Sequence, residues 1–347
     1  MRRVPVLLSA CVALALAGAA AAATAPAKPG VRAARAVKPT PPVPPPPAAP
    51  SAPLADHHQY LYSPAAAAYL SHSAALQPVS ARQLIVRLDA AGIERAAVLS
   101  VAWLYERPSL GEEYERVRAE NDWAARQAGE YPGRLVALCS VDPLKDYALH
   151  ELARCAASPE FGRGIKLQPA GAVDLDDAEQ LARVQRVFRA ANARGMAIVL
   201  QLRGAGAGSG GARLLIDGLL PHAPDVPVQV AYADIDAEDG AAGAHEGAAA
   251  PLAALAVLAD AAARQDPRMR QVWFDVASFA RPGLSAVEAR RLVRRLRQVG
   301  MERILYGSDA APGATAGPGE AWAAFRSLPL TEAEATRVAN NVMPYLR

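Results

Sequence analysis

Residues 164–202 read GIKLQPAGAVDLDDAEQLARVQRVFRAANARGMAIVLQL. A short apolar run at 164–167 is followed by a cluster of acids, then by apolar residues at helical spacing, and a second apolar run begins at 197. The acids from Asp174 onward sit where a helix begins, since carboxylates favour the N-terminal end of the helix dipole. Strand, helix and strand in this order form the repeating unit of a parallel sheet.

The same alternation runs outward in both directions. Strands are expected at 54–58, 96–101, 135–141, 164–167, 197–202, 226–233, 272–277 and 304–308. Helical spacing is found at 81–91, 112–129, 178–194, 252–264 and 286–299, with a weaker last helix near 320–327. Eight strands, each followed by a helix, predict an α/β fold: one (β/α)8 TIM barrel over residues 54–347 rather than two domains.

Ahead of the barrel, residues 1–23 carry two arginines, an apolar run and a small-residue Ala-x-Ala ending, the layout of a secretory signal peptide. Residues 24–53 are a Pro/Ala-rich linker whose composition buries no core and predicts disorder. The expectation is an exported, periplasmic or secreted protein. Lipid anchoring through Cys11 is the lesser alternative, because cleavage there would cut the apolar run short.

The leader also distorts the charge. Of 37 Lys+Arg, six lie in positions 1–55, leaving 31 against 34 Asp+Glu, so the barrel carries about −3 rather than +3. That balance gives no electrostatic footprint for nucleic acid, and no later apolar run is long enough for a membrane span. A small-molecule ligand is the expected partner, and a homo-oligomer is compatible with these residues. Cys139 and Cys155 suggest no disulfide framework and are expected as buried free thiols.

In a TIM barrel the chemistry sits at the C-terminal ends of the strands. That rule selects His58 and Tyr60 after the first strand, Lys166 and Gln168 on the fourth, Gln201 and Arg203 on the fifth, Tyr232 and Asp234 on the sixth, and Asp309 after the eighth. The glycines from Gly206 to Gly211 match a dinucleotide fingerprint, but they start several residues past a fifth strand. They are expected to form a loop over the barrel mouth, and no dinucleotide cofactor is expected.

The segments DHHQYLYSP, GIKL, AIVLQLR, VPVQVAY, ILYGSDAA and NNVMPYL, in this order, resemble the amidohydrolase-related family of metal-dependent hydrolases and decarboxylases. The resemblance implies hydrolysis or decarboxylation of a small carboxylate or amide by a metal-bound water, with Asp309 as proton acceptor. It places the family's zinc ligands at His58, Tyr60, Gln201, Tyr232 and Asp309, of which only His58 and Asp309 match. None of the six histidines falls on the fifth or sixth strand. A neutral amide and two phenols are poor replacements for imidazole around zinc, so an impaired or lost zinc site is the expectation.

Three readings follow. In the first the barrel is a pseudoenzyme or ligand-binding protein, with Arg203, Gln201, Tyr60, Tyr232 and Lys166 lining an ordinary hydrogen-bonding pocket. In the second, catalysis persists through a remodelled site of Lys166, His58 and Asp309, or through a divalent metal held by His58, Asp309 and a further carboxylate such as Asp234 or Glu246. In the third, His58, Tyr60, Tyr232 and Asp309 bind ferric ion, whose hardness suits phenolate and carboxylate oxygens.

Overall fold

The computed structural model describes residues 52–70, 77–106, 111–168, 177–201, 208–231, 252–277, 284–309 and 317–347. All belong to one compact unit, Ala48–Arg347; the other unit, Met1–Pro47, lies outside the described residues, and with it the expected signal peptide and Cys11. No helix among the described residues is long and apolar enough to cross a membrane.

Eight parallel strands stand in chain order: β1 (Ala55–Gln59), β2 (Arg95–Leu99), β3 (Leu135–Val141), β4 (Gly164–Leu167), β5 (Ala197–Gln201), β6 (Val228–Ala231), β7 (Val272–Asp275) and β8 (Ile304–Leu305). Each pairs with its sequence neighbour. Backbone bonds from His57 N to Tyr306 O (2.9 Å) and from Asp309 N to His58 O (3.0 Å) bring the last segment back to the first. This is the expected (β/α)8 barrel.

Helices α1 (Pro64–Leu70) and α2 (Ala81–Ala91) follow β1. After successive strands come α3 (Glu113–Gly129), α4 (Ala148–Ala157), α5 (Ala178–Ala193), α6 (Gly208–Leu214), α7 (Ala253–Ala263) and α8 (Ala286–Val299), and α9 (Pro318–Arg326) and α10 (Glu332–Ala339) close the chain. Local chemistry sets several starts. Ser80 and Ser285 form capping boxes with Gln83 and Glu288, and Asp177 caps α5 through the backbone N–H groups of Glu179 and Gln180. In α8, Leu292, Val293, Leu296 and Val299 are buried.

Strand parity divides the core into two layers. Ala96, Val98, Ile165, Leu167, Ile198 and Leu200 pack with the helices. Ala97, Leu99, Leu138, Val199 and Leu305 fill the barrel interior together with Tyr345 and Leu346 of the C-terminal turn. In β1 the parity changes: Asp56 pairs with Ala96 and Gln59 with Val98, so three residues span two of the partner strand. This bulge re-aims the strand just ahead of the residues selected above. Asp56 pins it, accepting from the backbone N–H of His58 and of Ser308 (both 3.0 Å) and from Gln59 Nε2 (2.7 Å).

Two expectations are corrected. Cys139 and Cys155 are joined in a disulfide, with Cα atoms 6.2 Å apart. Cys139 lies in the layer beneath the helices and Cys155 on the buried face of α4, the helix that follows its strand. A single strand-to-helix staple needs no wider framework of cysteines, which is why counting them missed it. The glycines from Gly208 onward are not a loop but the first residues of α6; only Gly206 and Ala207 of that motif lie outside the described residues.

Candidate active site

The inner faces at the strand ends carry a connected set of buried polar groups. His58 Nδ1 lies 3.0 Å from Asp275 Oδ2, at the end of β7, and both residues are fully buried. The same oxygen accepts from Gln229 Nε2 on β6 (2.7 Å), and Asp275 Oδ1 accepts from Ala277 N (3.1 Å). A carboxylate holding these donors makes His58 Nδ1 a donor; in the neutral ring Nε2 is then the acceptor. His58 Nε2 lies 2.8 Å from the Tyr60 hydroxyl and 3.6 Å from Asp309 Oδ1.

Lys166, wholly buried on β4, donates from Nζ to the Tyr60 hydroxyl and stands 4.3 Å from the centre of that ring. The hydrogen-bond directions are then consistent along the chain: Lys166 to Tyr60, Tyr60 to His58, His58 to Asp275. At its far end Tyr345 donates to Gln229 Oε1, so the C-terminal turn Pro344–Leu346 reaches the strand-end network through one amide.

Asp309 follows β8 with φ 51°, a left-handed conformation rare outside glycine, and its side chain is about a quarter exposed, more open than His58 or Asp275. Just before it, Gly307 packs closely against His58 and Asp275. A Cβ there would lie 2.8 Å from His58 Cβ and 3.3 Å from Asp275 Cβ. Gly307→Ala is expected to cost about 1–3 kcal/mol of stability by overpacking, measured by urea unfolding, and to displace His58.

The neighbouring His57 is structural. Its Nδ1 donates to Tyr306 O (2.8 Å) and its Nε2 accepts from Met343 N (3.2 Å), which requires the neutral ring. Burial lowers its pKa to about 4. The neutral ring's contribution to stability is fully present above the unfolded value near 6.5 and is lost as the pH falls toward 4. NMR of the ring should show His57 still neutral at pH 5.

Of the residues selected from sequence, the structure brings together His58, Tyr60, Lys166 and Asp309. Gln168, one residue past β4, and Gln201, the last residue of β5, are 3% and 2% exposed. Arg203, Tyr232, Asp234 and Glu246 lie outside the described residues. Two residues were missed. Asp275 and Gln229 sit in the apolar runs VWFD and VQVA, where a lone acid and a lone amide are the one signal the sequence carries.

Among the described residues, the group of three metal-binding side chains found close together is Cys139, Glu151 and Cys155, their ligand atoms within 4.8 Å of one another. Its two sulfurs are bonded to each other, so that group acts as a staple.

The profile of the amidohydrolase family matches residues 109–341. The chain belongs to the amidohydrolase family. No curated protein matches it in sequence. Among solved structures, a 2,6-dihydroxybenzoate decarboxylase from Rhizobium is similar at 15% identity, covering 84% of this chain and 97% of that one, with a TM-score of 0.58. The 5-carboxyvanillate decarboxylase of Sphingomonas paucimobilis matches at 15% identity over 83% and 97%, TM-score 0.53. A protein from Acinetobacter baumannii assigned as a 2-pyrone-4,6-dicarboxylic acid hydrolase, with citric acid bound, matches at 15% over 82% and 95%, TM-score 0.51. At such identities the likeness speaks for the shared barrel.

Proposed function

We propose that this barrel binds a small carboxylate or amide at its mouth and that zinc no longer organises the site. The observation that carries the reading is Lys166 Nζ on the Tyr60 hydroxyl, whose other neighbour is His58 Nε2. At that hydroxyl position the family has a zinc-binding imidazole. Lys166 Nζ donates to the very oxygen a metal would need, and a neutral phenol does not replace the lost imidazole. At the fifth strand the donor is the amide of Gln201, which brings no charge to a metal. Family membership supports hydrolysis or decarboxylation as the ancestral chemistry, and the pocket reading keeps its substrate class without its metal.

A second reading, retained acid and base catalysis, is favoured by the unbroken chain from Lys166 through Tyr60 and His58 to Asp275. A base oriented by a carboxylate is a recurrent arrangement for proton transfer. The ferric reading has less support, because the hydroxyl of Tyr60 is already shared between His58 Nε2 and Lys166 Nζ.

Metal analysis tests the proposal. Protein purified without chelator should hold substoichiometric zinc, and the variant Tyr60→His, Gln201→His, Tyr232→His should take up more. Stoichiometric zinc in the natural protein overturns it. Turnover of a small ester, lactone or carboxylate that survives EDTA but is lost in His58→Asn would select the second reading over the first.

Export is proposed on two supports. Residues 1–23 have the layout of a signal peptide, and a structural disulfide belongs to an oxidising compartment.

A further inference from the structure

The polar groups at the barrel mouth fall into two arcs. Those on β1, β6 and β7 are mutually satisfied through His58, Asp275 and Gln229. On the adjacent strands β3, β4 and β5, Lys166 is bonded to Tyr60 but its polar neighbours are not satisfied. Ser140 Oγ, Gln168 Oε1 and both amide atoms of Gln201 are buried and have no hydrogen-bond partner among the described residues. These residues are neighbours. Ser140 pairs with Lys166, and Leu167 pairs with Leu200, which sets Gln168 beside Gln201 across the two strands.

Parity fixes the direction in which they point. Cys139 and Ile165 lie in the layer under the helices, as do Leu167, Ile198 and Leu200. Leu138 and Val199, two residues before Ser140 and Gln201, face the interior. The three side chains therefore face the same space as Lys166. Buried polar groups in native proteins are almost always paired, and an arc of orphans facing a barrel mouth is completed when a ligand supplies the missing partners.

Their chemistry selects the ligand. Gln201 offers one acceptor and one donor group whichever way its amide is turned. Gln168 adds an acceptor, and the Ser140 hydroxyl serves as either. A carboxylate only accepts: it would pair with Gln201 Nε2 but leave the carbonyl oxygens of Gln201 and Gln168 facing its charge. A primary carboxamide matches both edges, its oxygen accepting from Gln201 Nε2 while its N–H groups donate to Gln201 Oε1 and Gln168 Oε1. We propose that the unsatisfied arc formed by Gln201, Gln168 and Ser140 recognises a carboxamide. This rests on the reading that the mouth binds a small carboxylate or amide, and it chooses the amide.

Matched pairs of probes, acetamide with acetate and benzamide with benzoate, are titrated into the full chain labelled with 15N, and the side-chain amide signals of Gln201 and Gln168 are followed. The amides should shift these signals saturably and bind at least about tenfold tighter than their carboxylates, the equivalent of one lost hydrogen-bonding match. Gln201→Met should remove that preference. It breaks no hydrogen bond in the free protein, and its melting temperature should equal or exceed that of the parent, which separates lost binding from lost folding. If the carboxylates bind, shifting His58 or the Lys166 side chain, while the amides do not, the amide assignment falls and binding at the mouth stands. If neither member of any pair binds, both fall.

Discussion

Asp275→Ala is expected to lower the unfolding free energy by about 3–5 kcal/mol, because it removes one partner of a buried, hydrogen-bonded pair and strands the others. Three donors lose this acceptor at once, His58 Nδ1, Gln229 Nε2 and the Ala277 N–H, and Gln229 Nε2 keeps the backbone O of His57 at 3.3 Å. Asp275 and Gln229 are fully buried, so water cannot replace the carboxylate without opening the barrel. Asp275→Asn keeps an acceptor oxygen in nearly the same place and should cost less than half as much. Urea unfolding at pH 7 measures both, and a loss under about 1 kcal/mol for the alanine variant would be too small for a buried, multiply bonded carboxylate.

The same substitution bears on function. With Asp275 gone, nothing holds the proton on His58 Nδ1, and the ring can present N–H to Tyr60 in place of a lone pair. If the site is catalytic, Asp275→Asn should reduce turnover far more than it reduces binding. If it is a binding pocket alone, binding and stability should fall together. Asp275 is thus a positioning residue whose variant separates the two readings without any metal being added.

Much of this barrel could be read from the chain, and the places where reading stopped have physical reasons. Strands such as 135–141 and 164–167 are bounded by polar turns and contain apolar runs too short for helices, so their ends were visible. The eighth was expected over 304–308 but forms a ladder only at Ile304–Leu305. Beyond that only single backbone bonds to β1 continue, ending at the left-handed Asp309, a conformation the residue types there do not announce. At the site, His58, Tyr60, Lys166 and Asp309 were found because polar residues at strand ends stand out. Asp275 and Gln229 were passed over because one acid or amide in a strongly apolar strand reads as part of the core. Their importance comes from meeting across β6, β7 and β1, a property of register rather than of any one segment. The β1 bulge is of the same kind, since it depends on how Asp56 closes on the backbone of Ser308, 252 residues away.

The disulfide shows what strand parity can tell once both neighbours are known. Cys139 and Cys155 are 16 residues apart, and a loop of that size closed in the unfolded chain is worth about 3 kcal/mol in the chain-entropy account. Cys139→Ala with Cys155→Ala should lose about that amount, and somewhat more if the space left by the two sulfurs does not refill. The effect should reach the barrel mouth. Glu151, one turn before Cys155 on α4, accepts from Asn121 Nδ2 (2.8 Å), and Asn121 in turn brackets Ser140 by donating to its backbone O (3.1 Å) and accepting from its N (3.0 Å). Arg154 completes the arrangement on Glu151 at 2.7 Å. Loosening α4 from β3 therefore loosens the residue beside Lys166, so the double variant should weaken ligand binding at the mouth as well as stability. Thiol titration in denaturant should find no free Cys139 or Cys155 in protein recovered from an oxidising compartment. Two free thiols there, with stability unchanged in the double variant, would return both cysteines to the role of ordinary buried side chains and remove one of the two supports for export.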